Sequence, residues 1–108
     1  LAYTSDTYLN IGFVYFKLKQ YENSLVYYEK SLEAKTVAKD SFDLDRLYIN
    51  MGLSNIHLEK FDQALKSFDS GFDICGNSCS DEIFIEGEFG LGVVNYKLKN
   101  FDESRGHF

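Results

Sequence analysis

LNIGFVYFKLKQYENSLVYY at residues 9–28, INMGLSNIHLEKFDQALKSF at 49–68 and FGLGVVNYKLKNFDESRGHF at 89–108 are three versions of one phrase. Set one above another at a forty-residue spacing, they align Gly12 with Gly52 and Gly92, and Leu18 with Leu58 and Leu98. A ring follows in each, at Tyr21, Phe61 and Phe101, and then an acid, at Glu22, Asp62 and Asp102. Next come a small side chain at Ser24, Ala64 and Ser104 and a second ring at Tyr28, Phe68 and Phe108. So many columns at one spacing mark an internal repeat, the signature of an array whose units bury their apolar faces against one another.

Each unit reads as two helices. Leu44, Leu47, Tyr48, Met51, Asn55 and Leu58 recur at steps of three and four, as do Phe61, Ala64, Leu65, Phe68, Phe72 and Cys75. Only Glu59 and Lys60 separate the two sets, so the helices are antiparallel neighbours joined by a tight turn. Asp40 and Ser41 supply capping side chains for the helix that follows them. The expected helices span about 3–18, 21–34, 41–58, 61–75, 82–98 and 101–108, in repeats near 5–40, 41–80 and 81–108. The last unit stops inside its second helix, which leads us to expect a single repeat domain within a larger protein. A helical glycine costs about 1 kcal/mol relative to alanine, so three at equal spacing point to close helix approach. Ala64 is the small residue expected to meet Gly52.

Composition supports a packed helical chain. Of 108 residues 44% are hydrophobic, which excludes disorder, and ten Phe and eight Tyr with no Trp must fill most of the core. Proline is absent, so Gly and polar turns must end the helices. The net charge of −6 is uneven: residues 1–39 carry five Lys against four acids, residues 40–108 six Lys or Arg against thirteen. Such a surface repels phosphate backbones and anionic membranes, so neither nucleic acid nor membrane is an expected partner of this segment. There is no run long enough for a spanning helix and no signal-peptide pattern, and the compartment, cytoplasmic or exported, stays open.

The repeat resembles the tetratricopeptide repeat, W-x2-L-G-x2-Y, then A-x3-F, then P. The residues that carry the resemblance are Tyr8, Ile11, Gly12, Tyr15, Ser24 and Tyr28, then Tyr48, Met51, Gly52, Asn55, Ala64 and Phe68, then Glu88, Leu91, Gly92, Asn95, Ser104 and Phe108. Thr36 and Gly76 replace the closing proline, Asn95 stands where Tyr15 does, and the period is forty rather than thirty-four. A longer period looks like the variant in bacterial pheromone sensors and other regulators. The resemblance implies an all-α fold, a right-handed superhelical stack of helical hairpins. It implies a protein- or peptide-binding module as well, in the manner of a sensory or regulatory interaction domain. The alternative is a structural scaffold or dimerisation segment whose inner face is covered by flanking helices.

In such a stack the first helices line the concave side. The resemblance places Leu9, Phe13 and Phe16, Ile49, Leu53 and Ile56, and Phe89, Val93 and Tyr96 there, with His57 beside them. All but His57 are apolar, and two readings stay open: the first helices pack on each other through this set, or it forms a groove for an apolar or amphipathic segment. Family members that grip a terminal carboxylate use Lys and Asn at inner positions. Only Asn50 matches, while Leu9 and Phe13 replace the first Lys and Asn, and Glu86 and Gly90 stand where basic residues belong. An acidic tail is therefore not the expected ligand. Asn10 and Asn50 remain, one repeat apart, and side-chain amides bond both N–H and C=O of an extended peptide.

Nothing points to catalysis or to a cofactor. His57 and His107 have no nucleophile arranged around them and read as ordinary helix residues. The acid pairs Asp81 with Glu82 and Glu86 with Glu88 lack a calcium-loop pattern and read as a solvated face. GLG at residues 90–92 has no strand before it and no Walker lysine. Cys75 and Cys79 are too few for zinc alone; a sharp bend at Gly76 permits a local disulfide, and otherwise Cys75 is a core residue and Cys79 a loop residue.

Overall fold

The computed structural model describes residues 4–106, and the side chains of residues 4–99. Thr4 starts the first helix by accepting the backbone N–H of Thr7 through its hydroxyl at 3.2 Å, which satisfies one of the donors a helix start leaves unpaired. Helix α1 (Ser5–Lys17) and helix α2 (Tyr21–Ala38) form the first hairpin. The second hairpin pairs α3 (Leu44–His57) with α4 (Phe61–Cys75). A short 3-10 turn (Gly76–Ser78) leads to α5 (Asp81–Gly106), where the Ser80 hydroxyl accepts the Ile83 N–H at 3.3 Å and acids fill the first turn. The protein is an all-α helical-repeat solenoid, with no strand among the described residues.

Both hairpins turn the same way. Lys19 and Glu59 occupy the left-handed region at φ 62° and 60°, and Gln20 and Lys60 donate back to the carbonyls of Tyr15 and Asn55 at 2.9 Å. What closes each hairpin is a ring lying over a glycine. A Cβ at position 12 would stand 2.7 Å from two atoms of the Tyr28 ring, and one at position 52 would stand 2.6 Å from Phe68. The glycines therefore permit close approach, though the group that fills the space at Gly52 is Phe68 rather than the expected Ala64. Between the hairpins, the buried Ser24 and Ser54 hydroxyls lie 2.8 Å apart, and Ser24 donates to the Tyr21 carbonyl at 2.6 Å.

Several expectations need correction. Helix α3 begins at Leu44, not 41: Asp40 accepts from the Phe42 N–H and so shapes the loop instead of capping the helix. Helix α2 runs to Ala38, four residues past the expected end, and its last turn is anchored by Lys35, which is buried and donates its ammonium to the Phe42 carbonyl. The third unit differs most. Lys99, in the column of Lys19 and Glu59, stays helical, and α5 is continuous where two helices, 82–98 and 101–108, were expected. A left-handed turn at a non-glycine residue costs about 1–2 kcal/mol, and the first two units offset it by packing a second helix on the glycine. Gly92 has nothing within 4 Å of an added Cβ among the described residues, and no described helix packs on it to supply that return. The expected placements of His107 and Phe108 lie outside the described residues.

Candidate functional site

Helix α5 packs through a different set of small residues. Ile83, Gly87, Gly90 and Val94 are buried and lie along one face; added Cβ atoms at Gly87 and Gly90 would meet Phe72 at 2.4 Å and Phe68 at 2.3 Å. Ile49 is wholly buried between α4 and α5, its Cδ1 only 2.9 Å from where a Cβ on Gly71 would lie and 3.2 Å from one on Gly87. It belongs to the core with Ala64, Phe68, Ile83 and Val94, so of the two readings open for the inner set Ile49 takes packing and not the groove.

The remaining inner residues fall into two groups. Phe13, Phe16, Asn50 and Leu53, from α1 and α3, converge on a cavity of about 70 Å³ whose wall is completed by Lys17, Tyr28 and Glu86. Phe16 meets the rings of Tyr21 and His57 edge-on at 5.5 and 5.7 Å, and His57 stacks on Tyr21 at 4.1 Å, so His57 rims the site as a flat ring. Leu9 and Ile56 are half-buried against neighbouring clusters, and Asn10 is exposed. Phe89, Val93 and Tyr96 stand apart, lining a shallow open depression with Gly92 on the outer side of α5. Phe89 and Tyr96 are exposed there with Ile85 in a stripe about half a turn away from the buried seam. The structure thus does not bring the third unit's inner residues to the cavity, and Glu86 represents α5 instead. A larger cavity, about 690 Å³, opens beside the α3–α4 turn between Phe61, Gln63 and Leu98.

The electrostatics of the cavity centre on Glu86. Burial, reinforced by Glu82, pushes its carboxyl above the ordinary glutamate value, while Arg46 and Lys17 pull against the rise. Arg46 is engaged with Glu82 at 3.0 Å, a pair bridging α3 and α5 that holds the guanidinium charged. Lys17 places its ammonium 5.0 Å from the centre of the Phe13 ring. Burial and then Glu86 push the Tyr28 hydroxyl upward as well, so it stays a neutral donor. Sequence reasoning missed Tyr28 and Lys17 here, because Tyr28 read as a packing ring and Lys17 as a solvated helix end. It placed Glu86 at an inner position without seeing that a tyrosine lies behind it.

At the second turn, Cys75 and Cys79 are joined as a disulfide with Cα atoms 4.8 Å apart, across Gly76 at φ 55°. Among the described residues no three of His, Cys, Asp and Glu gather into a metal-binding group, and no helix is long and apolar enough to cross a membrane.

Comparison with curated proteins and with solved structures finds no match. A family model, tetratricopeptide repeat, matches residues 3–76, the stretch that holds both hairpins and ends at the Gly76 turn. The ring-over-glycine closure of those hairpins and this match agree, and the chain belongs to the tetratricopeptide repeat family.

Proposed function

We propose that the chain is a protein-interaction module that holds a peptide or partner segment along the face shared by α1, α3 and α5, and that it performs no reaction of its own. A sensory or regulatory role within a larger bacterial protein is the setting this reading fits. The supporting observation is the convergence of apolar wall and polar groups from four helices on one cavity, with Phe13 still 38% exposed beside it. An extended segment laid across Phe13, Phe16 and Leu53 gains contact area from the rings, while Asn50 fixes the direction of its backbone. A photo-crosslinking residue at position 13 should capture partner in extracts of the native source. The same residue at Val26, exposed on the outer helix of the first hairpin, should not. Equal capture at both positions, or none at position 13, would remove the groove from the reading.

A second reading rests on the outer stripe of α5, where Ile85, Phe89 and Tyr96 are 65%, 69% and 64% exposed. Contiguous exposed apolar surface of this kind favours a scaffold role in which α5 pairs with another helix, including one from a second copy. Sedimentation of the wild type against Tyr96→Lys separates the two readings, since only self-association through α5 is lost in the variant.

A further inference from the structure

Three polar groups face the 70 Å³ cavity without a hydrogen-bond partner among the described residues: the Tyr28 hydroxyl, the Asn50 amide and the Glu86 carboxylate. Tyr28 is the telling one. Its side chain is 1% exposed, yet no buried polar side-chain atom is sealed off unsatisfied, so the hydroxyl must open on the cavity that the ring helps to line. A tyrosine buried to this degree ordinarily bonds its hydroxyl within the protein. Here the hydroxyl, an amide oxygen and a carboxylate all offer acceptors to one space, and Phe13, Phe16 and Leu53 supply its apolar rim.

The chemistry that satisfies such a set is a compact cation with several donors. An anion would face Glu86 across a short gap, and a neutral apolar group would leave three polar groups unpaired. The volume is about two waters' worth, which suits an ammonium and its adjoining methylene better than a ring or a branched head. Phe13 already carries a cation on its face: Lys17, exposed and 5.0 Å from the ring centre, contributes to the cavity wall as a placeholder from the chain itself. Arg46 does not compete, because Glu82 holds it. We propose that this cavity receives a primary ammonium presented by the bound segment, a lysine side chain or a free N-terminus, with Glu86, Asn50 and Tyr28 as its ligands. The proposal rests on the groove reading above and adds the chemical identity of one anchor.

Resin-bound libraries of apolar hexapeptides test it on the 108-residue chain. One acetylated set carries a single Lys at each position in turn, a second carries norleucine, a third carries Glu, and a fourth has norleucine with a free N-terminus. The Lys set should outbind norleucine by about tenfold or more, the gain expected of charge-assisted hydrogen bonds in a partly dry site. An advantage confined to the fourth set would assign the source to the N-terminus. In Glu86→Gln, checked for an unchanged far-ultraviolet circular dichroism spectrum and a melting temperature no lower than the wild type's, the Lys to norleucine ratio should fall to about one. Lys17→Met should tighten Lys-peptide binding by removing the placeholder. Equal binding of the Lys, free-amine and norleucine sets would overturn the ammonium site while leaving the groove in place. Preference for the Glu set, lost in Lys17→Met, would show an anion site and overturn it too. If no set binds above background, the groove reading falls and the ammonium site with it.

Discussion

Replacing Gly52 and Gly92 in turn by alanine should give opposite results, although the two residues share one sequence column. Phe68 is wholly buried and pinched between two backbones: an added Cβ at Gly52 would lie 2.6–2.8 Å from three of its ring atoms, and one at Gly90 would lie 2.3–2.8 Å from three. Retreat from one helix drives the ring into the other. The Gly52→Ala methyl needs roughly another 0.8 Å to reach ordinary contact, so overpacking of about 1–3 kcal/mol is expected. The better helix propensity of alanine offsets about 1 kcal/mol of this, leaving a net loss of up to about 2 kcal/mol. Gly92→Ala meets nothing within 4 Å among the described residues and keeps only the propensity gain, up to about 1 kcal/mol. Urea unfolding followed by far-ultraviolet circular dichroism should separate the two variants by the overpacking alone, about 1–3 kcal/mol, which in a thermal melt is about 4–12 °C at about 4 °C per kcal/mol. Gly90→Ala should behave like Gly52→Ala. Equal shifts for positions 52 and 92, in either direction, would refute the account of the pinched ring.

Other substitutions probe the turns, the cavity and the contact between hairpins. Glu59→Gly relieves a left-handed residue at φ 60° that closes a hairpin and should stabilise by about 1 kcal/mol, visible as a higher urea midpoint with unchanged slope. Glu86 is held above its ordinary value by burial and Glu82, against Arg46 and Lys17, with Tyr28 behind it. Its contribution is therefore full below the unfolded-state value and is lost as pH rises through the folded-state value. Glu86→Gln should raise the melting temperature at pH 7 and leave it unchanged near pH 3; a drop at pH 7 would reverse the sign of this argument. Ser24→Ala removes the partner of the buried Ser54 and should cost about 1–2 kcal/mol, read from the same urea unfolding.

The hairpins were legible because their signals are local. A glycine and a two-residue link specify the close approach of two adjacent helices, but the expectation that Ala64 meets Gly52 missed the ring sixteen residues after each glycine, Tyr28 over Gly12 and Phe68 over Gly52. The third unit carries the same letters, yet Lys99 remains helical, since a left-handed turn depends on what packs afterwards and not on its own residue. The cavity was half legible. The resemblance to the tetratricopeptide repeat places Phe13, Phe16, Asn50 and Leu53 on the inner face, whereas Tyr28 enters from the second helix of the first hairpin and Glu86 from α5. That convergence depends on how four helices pack, which no single periodic pattern encodes.

The fate of one inner column shows how position in the stack, rather than side-chain character, decides what a residue can do. Leu9, Ile49 and Phe89 are all apolar and stand at the same step before their glycines. Leu9 is half-buried, Ile49 is at 0% exposure and Phe89 is at 69%. Ile49 is sealed because α5 crosses α3 and α4 and brings Gly87 against it, and no described element does the same for Phe89. A ring such as Phe89 left on the surface forgoes about 2–3 kcal/mol relative to burial, so the outer side of α5 carries a standing preference for a covering helix. The inner cavity differs in kind, because what it lacks is a hydrogen-bonding cation and not apolar area. Two different deficits on two faces predict two separable contacts: an apolar one on α5 that weakens with Tyr96→Lys and is insensitive to Glu86, and a polar one in the cavity that responds the other way round.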